Sequence, residues 1–147
     1  MRVLALDIGQ RRVGVAISDA GGTIASPLEV LDASAHLDDR IAAMVGEHQV
    51  ELVVVGLPLT LAGEEGPQAE RVRLVGRRIA GRVGVPLVYH DERLSSTQAN
   101  RAMAAGASSK KRRGSVDKVA AAIFLQSFLD SGAASAAENE NGSTDGT

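Results

Sequence analysis

The sequence predicts an α/β fold: a five-stranded mixed sheet with helices on both faces. Two observations carry that expectation. Short apolar runs of strand length come first as three consecutive segments, and then alternate with longer segments of helical periodicity. The composition is 44% hydrophobic, yet Tyr89, Phe124 and Phe128 are the only aromatic residues, so the core must be aliphatic, as in helices packed on a Val/Leu/Ile sheet.

The elements follow in order. Residues 2–7 read as a strand, Gly9 to Arg12 as a tight turn, and residues 13–18 as a second strand returning antiparallel. Gly21-Gly22 forms the next turn, and Thr23 to Val30 a third strand, placed at an edge by Pro27. Ser34 is the expected N-cap of a helix reaching about His48, with Leu37, Ile41, Met44 and Val45 on one face. Leu52 to Gly56 is a continuous apolar run, as in a strand covered on both sides. A loop from Leu57 to Pro67 leads into a helix over about 68–82, and Pro86 to His90 is the fifth strand. Ser95 and Gln98 have capping-box spacing for a helix ending near Gly106. Ser115 is the expected cap of a last helix running to about Asp130. From Gly132 onward, Gly, Ala, Ser, Asn and Glu predict disorder, so residues 1–131 are expected as one domain and 132–147 as a tail.

The first three strands form an antiparallel meander. The later two join in parallel through right-handed crossovers, which makes the first strand central. Three acidic positions interrupt otherwise apolar elements. Asp7 closes Val3-Leu4-Ala5-Leu6, and Asp91-Glu92 end the fifth strand. Asp117 opens the stripe Ala120, Ala121, Phe124, Leu125, Phe128. A carboxylate at the end of a core element is costly to desolvate unless a cation or donors meet it. The predicted topology brings all three places to one end of the sheet, which points to a shared site for a hard divalent metal. Neighbouring strand residues face opposite sides, so only one of Asp91 and Glu92 can share the face of Asp7. Read singly, the three acids are a cap, a strand-end ion pair and a surface charge.

Charge is distributed unevenly. Asp19 to Glu70 holds ten acids and one base, whereas Arg71 to Lys118 holds twelve bases and three acids. Basic surroundings for a carboxylate cluster suit a polyanion held by its phosphates. Lys110-Lys111-Arg112-Arg113, between Ser108-Ser109 and Gly114, reads as a mobile basic loop beside Asp117. Arg11 and Arg12 lie on the first turn, where they either contact phosphate or are simply exposed. Arg93 either clamps a phosphate or pairs with Asp91. His90 reads as strand-end packing, and Ser18 and Asp19 as turn caps. The scarcity of aromatics argues against base-stacking platforms. The chain has no cysteine, which removes thiolate sites, and no apolar stretch of about 18 residues that would span a membrane. A cytoplasmic protein is expected.

Four segments, LALDIGQRRVGVAISD, VVVGLPLTLAGEEGPQA, HDERLSSTQA and VDKVAAAIFLQSFLD, resemble in order and spacing those of the YqgF family. That family has an RNase H-like fold and is described both as pre-16S rRNA nucleases and as Holliday junction resolvases. The resemblance covers residues 1 to about 130. It shows no departure at the acidic positions, and Ser96 stands where the family often has threonine, a change that keeps the hydroxyl. It implies phosphodiester hydrolysis with Mg²⁺ or Mn²⁺ held by Asp7, Glu92 and Asp117, and favours Glu92 over Asp91. The implied partner is nucleic acid, either precursor rRNA or branched or single-stranded DNA, acted on by a monomer or homodimer. Two other classes compete: a nucleic-acid-binding module without catalysis, and an actin-like kinase, for which the chain lacks a second domain.

Overall fold

Five strands form one sheet in the order β3-β2-β1-β4-β5: β1 (Val3–Ile8), β2 (Arg12–Ser18), β3 (Ala25–Asp32), β4 (Leu52–Leu57) and β5 (Leu87–Asp91). The computed structural model describes residues 1–94 and 110–134, with side chains over 1–93 and 117–134. β1 pairs antiparallel with β2 and parallel with β4, β2 pairs antiparallel with β3, and β4 pairs parallel with β5. The meander and the central position of β1 are as the sequence predicts.

Alternation along the strands divides the core in two. Leu4, Leu6, Val53 and Val55 face α1 (Leu37–Glu47) and α2 (Pro67–Val83), which supply Ile41, Met44, Val72 and Ile79. On the opposite face Val3, Ala5, Ala16, Leu52 and Val54 meet Ala121, Phe124, Leu125 and Phe128 of α3 (Lys110–Asp130). Phe124 and Leu125 are wholly buried; each contributes about 1.5–3 kcal/mol by leaving water. Small residues on this face, Ala5, Ala16 and Gly14, let α3 lie close. A Cβ on Gly14 would fall 2.7 Å from the backbone carbonyl carbon of Asp117, so only glycine fits there.

Several local expectations need correction. Lys110 to Arg113 are not a loop: α3 begins at Lys110, so Ser115 lies inside it and does not cap it. Lysine and arginine are good helix formers, and only Gly114 opposes extension, by about 1 kcal/mol. Once 117–130 is anchored by packing, adding turns is inexpensive. Ser34 does not cap α1, whose N-cap is His36 with no side-chain hydrogen bond. Its Oγ instead accepts from the His36 amide at 3.3 Å, closing the turn before the helix. β3 is shifted to Ala25–Asp32, with an irregularity that leaves Leu28 unpaired between Pro27 and Glu29. Pro27 therefore sits on the edge strand at a bulge, where a missing N–H costs nothing. Asp19 acts as a turn cap, its Oδ1 accepting from the amides of Thr23 (2.7 Å) and Ile24 (2.9 Å). Ser18 Oγ accepts from the Val3 amide at 2.8 Å. The disorder expected from Gly132 does not begin there, because Ala133 and Ala134 pack against the core face under α3; the helix expected from Ser95 and residues 135–147 lie outside the described residues.

The glycines make the packing testable. Gly14→Ala should destabilise by about 1–3 kcal/mol in urea unfolding, because backbone must move. Gly81→Ala in α2, where an added Cβ meets nothing within 4 Å, should stabilise by about 0.4–1 kcal/mol. Equal effects would show that α3 does not seat on Gly14.

Candidate active site

Asp7 and Glu92 are almost fully buried, at 2% and 3% exposure, although both are acids. Asp7 has the strand parity of Val3 and Ala5, so it faces α3. Its antiparallel partner on β2 is Gly14. Extending the β1–β4 register one step beyond Leu6↔Val55 puts Gly56 at its other side. Asp7 is thus flanked by two glycines, and each admits another acid-bearing segment. The backbone of Asp117 presses on Gly14, and the carboxylate of Glu92 lies over Gly56, with Oε1 3.5 Å from where a Cβ would stand. The three predicted segments do meet at the same end of the sheet.

Asp91 and Glu92 divide as strand parity requires. Asp91, the last residue of β5, takes the α2 side with Tyr89, and Glu92 opens a short 3₁₀ turn on the other side. Arg93 folds back onto Asp91, with Nη2 to Oδ2 at 2.9 Å and Nε to both oxygens at 3.2 Å. These bonds hold the Asp91 carboxyl below its usual range. The Nη1 of Arg93 donates to the carbonyls of Thr60 and Leu61, both at 3.3 Å. Its guanidinium therefore pins the 57–66 loop to the end of β5. His90 packs as expected, its ring centroid 5.7 Å from Phe124 and 5.1 Å from Phe128. Burial lowers its pKa, so it favours the neutral form.

Asp117 is held by the first turn: Arg12 Nε lies 2.9 Å from its Oδ2. That turn is closed by the Gly9 amide donating to the Arg12 carbonyl at 2.9 Å. Hollows of about 250 and 310 Å³ flank it, one bordered by Arg11, Arg12 and Asp117, the other by Gln10, Gln68, Arg71 and Glu92. Arg11 is exposed beside the first. The side chains of Lys110, Lys111, Arg112 and Arg113 are not among those described; their backbone forms the first turn of α3, leading towards Asp117.

The donor set is hard oxygen on buried carboxylates, which suits a cation such as Mg²⁺ or Mn²⁺. Among the described residues, no three His, Cys, Asp or Glu side chains already stand close enough to ligate one ion. Asp117 is turned to Arg12 through one of its two oxygens. Sequence reasoning missed Gly14 and Gly56 as parts of the site. The available signal was an isolated glycine within each strand run, which marks a close approach.

A family model described as RuvX, Holliday junction resolvase, matches residues 1–131. A protein of Caldanaerobacter subterraneus subsp. tengcongensis named "Putative pre-16S rRNA nuclease" is 43% identical over 135 residues, covering 89% of this chain and 97% of its own. One of the same name from Chloroflexus aurantiacus is 44% identical over 133 residues, 87% of this chain and 86% of that one. Among solved structures, Thermus thermophilus RuvC in complex with a Holliday junction substrate superposes with a TM-score of 0.59 at 20% identity, over 90% of this chain and 96% of that one. The structure titled Thermus thermophilus RuvC matches at 0.52, also at 20% identity, covering 90% and 97%. At such identity the likeness establishes the fold, which is RNase H-like as expected.

The Arg93 pin has a direct readout. Arg93→Lys keeps one charge for Asp91 but cannot also reach both loop carbonyls. Amide exchange at Gly63 and Glu64, whose N–H groups bond within the loop, should quicken. Global stability should change by less than about 1 kcal/mol. Unchanged protection of these amides would show that the loop holds itself.

Proposed function

The chain belongs to the RuvX family, and on that premise we propose that it is a metal-dependent nuclease that trims precursor 16S rRNA, with residues 1–131 as its catalytic domain. One observation carries the reading: two nearly fully buried carboxylates, Asp7 and Glu92, share a face at the end of the sheet, with the backbone of Asp117 pressed alongside. Taking carboxylates out of water is costly, and a domain that only gripped a phosphate backbone would be weakened by them. The name its relatives carry, "Putative pre-16S rRNA nuclease", favours RNA over a four-way DNA junction, and a cytoplasmic site of action is proposed with it. Junction resolution is the second reading, supported by the family description, and symmetric cutting of a junction would require a dimer. No helix among the described residues is long and apolar enough to cross a membrane.

Asp7, Glu92 and Asp117 would hold Mg²⁺ or Mn²⁺. A bound ion supplies Lewis-acid stabilisation to the phosphoryl group and to the leaving oxygen. The residues themselves do the positioning. Asp7 is fixed between two paired strands, and Glu92 is set at its side by the turn after β5. Arg12 keeps the Asp117 carboxylate oriented and partly neutralised. Arg12 and the neighbouring exposed Arg11 are the phosphate contacts proposed on this turn. Arg93 serves the site by fixing its rim, because Asp91 and the loop carbonyls occupy its guanidinium.

Lys110, Lys111, Arg112 and Arg113 are the remaining substrate contacts proposed. Four cations in the first turn of a helix oppose its dipole, at roughly 0.3–1 kcal/mol each. Such a placement makes sense if the charge is there for a polyanion.

Three measurements check this reading. Asp7→Asn should abolish Mg²⁺- or Mn²⁺-dependent cleavage and leave the fold as stable or more so, since clustered negative charge is relieved. Glu92→Gln should cost far more activity than Asp91→Asn; the reverse order would put the wrong acid in the site. Replacing Lys110–Arg113 with Ala should weaken nucleic-acid binding. The slope of log affinity against log salt should flatten by about 0.7 to 0.9 per lost contact. An unaltered affinity and slope would make the run a solvated surface.

A further inference from the structure

The arginines of α2 are not equivalent, and their arrangement extends the site. Arg73 pairs with Glu65 and Arg82 with Asp39. Arg71 is anchored the other way, its Nη2 donating to the carbonyls of Gly9 (2.9 Å) and Gln10 (3.0 Å) on the turn after β1. Two hollows share Arg71 as a wall. One, of about 310 Å³, opens from Glu92 and is bordered by Gln10, Pro58 and Gln68. The other, of about 340 Å³, continues along α2 between Ser34, Asp38, Val75 and Arg78. Arg78 is exposed and has no carboxylate within ion-pair distance among the described residues. Arg77, also exposed, borders neither hollow.

We propose that the two hollows form one groove that carries a single nucleic-acid strand away from the carboxylates, past Arg71 and then Arg78. The proposal rests on the nuclease reading above and names the path its substrate takes. Seven residues of helix separate the two arginines by about 10 Å, close to three stacked nucleotide rises of 3.4 Å each. Hollows of this size sit at the lower end of the roughly 300–1,000 Å³ that holds a small ligand. Their size suits one strand. No aromatic side chain borders either one, so bases are not gripped by stacking. The groove holds phosphates and tolerates any sequence; among the described residues, the side chains of Gln10 and Gln68 are the only amides along it. Arg71 has a positioning share as well, since it ties the substrate path to the turn that bears Arg11 and Arg12.

The test uses the full chain carrying Asp7→Asn, which prevents cleavage, and a labelled single-stranded RNA of mixed sequence, titrated across a range of salt. Adding Arg78→Glu should weaken binding on the order of tenfold and flatten the salt slope by about 0.7. Adding Arg77→Glu makes the same charge change one residue away, and should weaken binding no more than about threefold. With a dinucleotide, too short to reach Arg78, the two variants should coincide. Matched melting curves exclude unfolding as the cause. Equal losses from Arg77→Glu and Arg78→Glu on the long RNA, with the parent binding normally, overturn the groove alone. A parent that binds no RNA strand overturns the nuclease reading on RNA, and the groove with it.

Discussion

Everything at this site depends on how closely two segments can approach the strand that bears Asp7. Its neighbours on either side are Gly14 and Gly56, and the absence of their side chains is the space in which Asp117 and Glu92 sit. Any larger residue at Gly14 would drive back the main chain of α3. At Gly56 an added Cβ would touch the Glu92 carboxylate and the ring of Phe124. Two empty positions in the sheet thus bring together three acids that are distant in sequence. The hydrophobic seam of α3 supplies the energy that keeps them there.

The same seam explains why the site lies at one end of the sheet. Ala5 and Ala16 let Phe124 and Phe128 press against β1 and β2, and these rings also hold His90. Packing of α3 therefore sets the height of both Asp117 and the end of β5. Cations then fix the loops that packing does not reach. Arg12 ties the first turn to Asp117, Arg93 ties the 57–66 loop to Asp91, and Arg71 ties α2 to the first turn. Each is at least partly exposed, so its energetic share is small. Their common effect is order at the rim of a site that carries excess negative charge.

Much of this was legible in the sequence because period-2 and 3.6-residue patterns are strong in an aliphatic core. The meander, the parallel crossovers, the buried stripe of α3 and the edge position of Pro27 follow from such patterns. So does the division of Asp91 from Glu92, since strand parity allows only one to share the face of Asp7. Local punctuation misled at two places. Ser34 and Ser115 have the chemistry of caps, but α1 begins at Leu37, where its buried face starts, and α3 extends back through the helix-favouring basic run to Lys110. Ion pairs across the fold were not legible. Arg12 with Asp117 and Arg82 with Asp39 join residues far apart in sequence, and no spacing rule connects them.

The central claim is that Asp7, between its two glycines, is the fixed member of a cation site. Titrating Mn²⁺ into the protein and following free Mn²⁺ by its paramagnetic resonance signal tests this without any substrate. The account predicts saturable uptake by the native chain and its loss in Asp7→Asn, with uptake surviving in Asp91→Asn. No saturable uptake by the native chain, or uptake indifferent to Asp7→Asn, would contradict it.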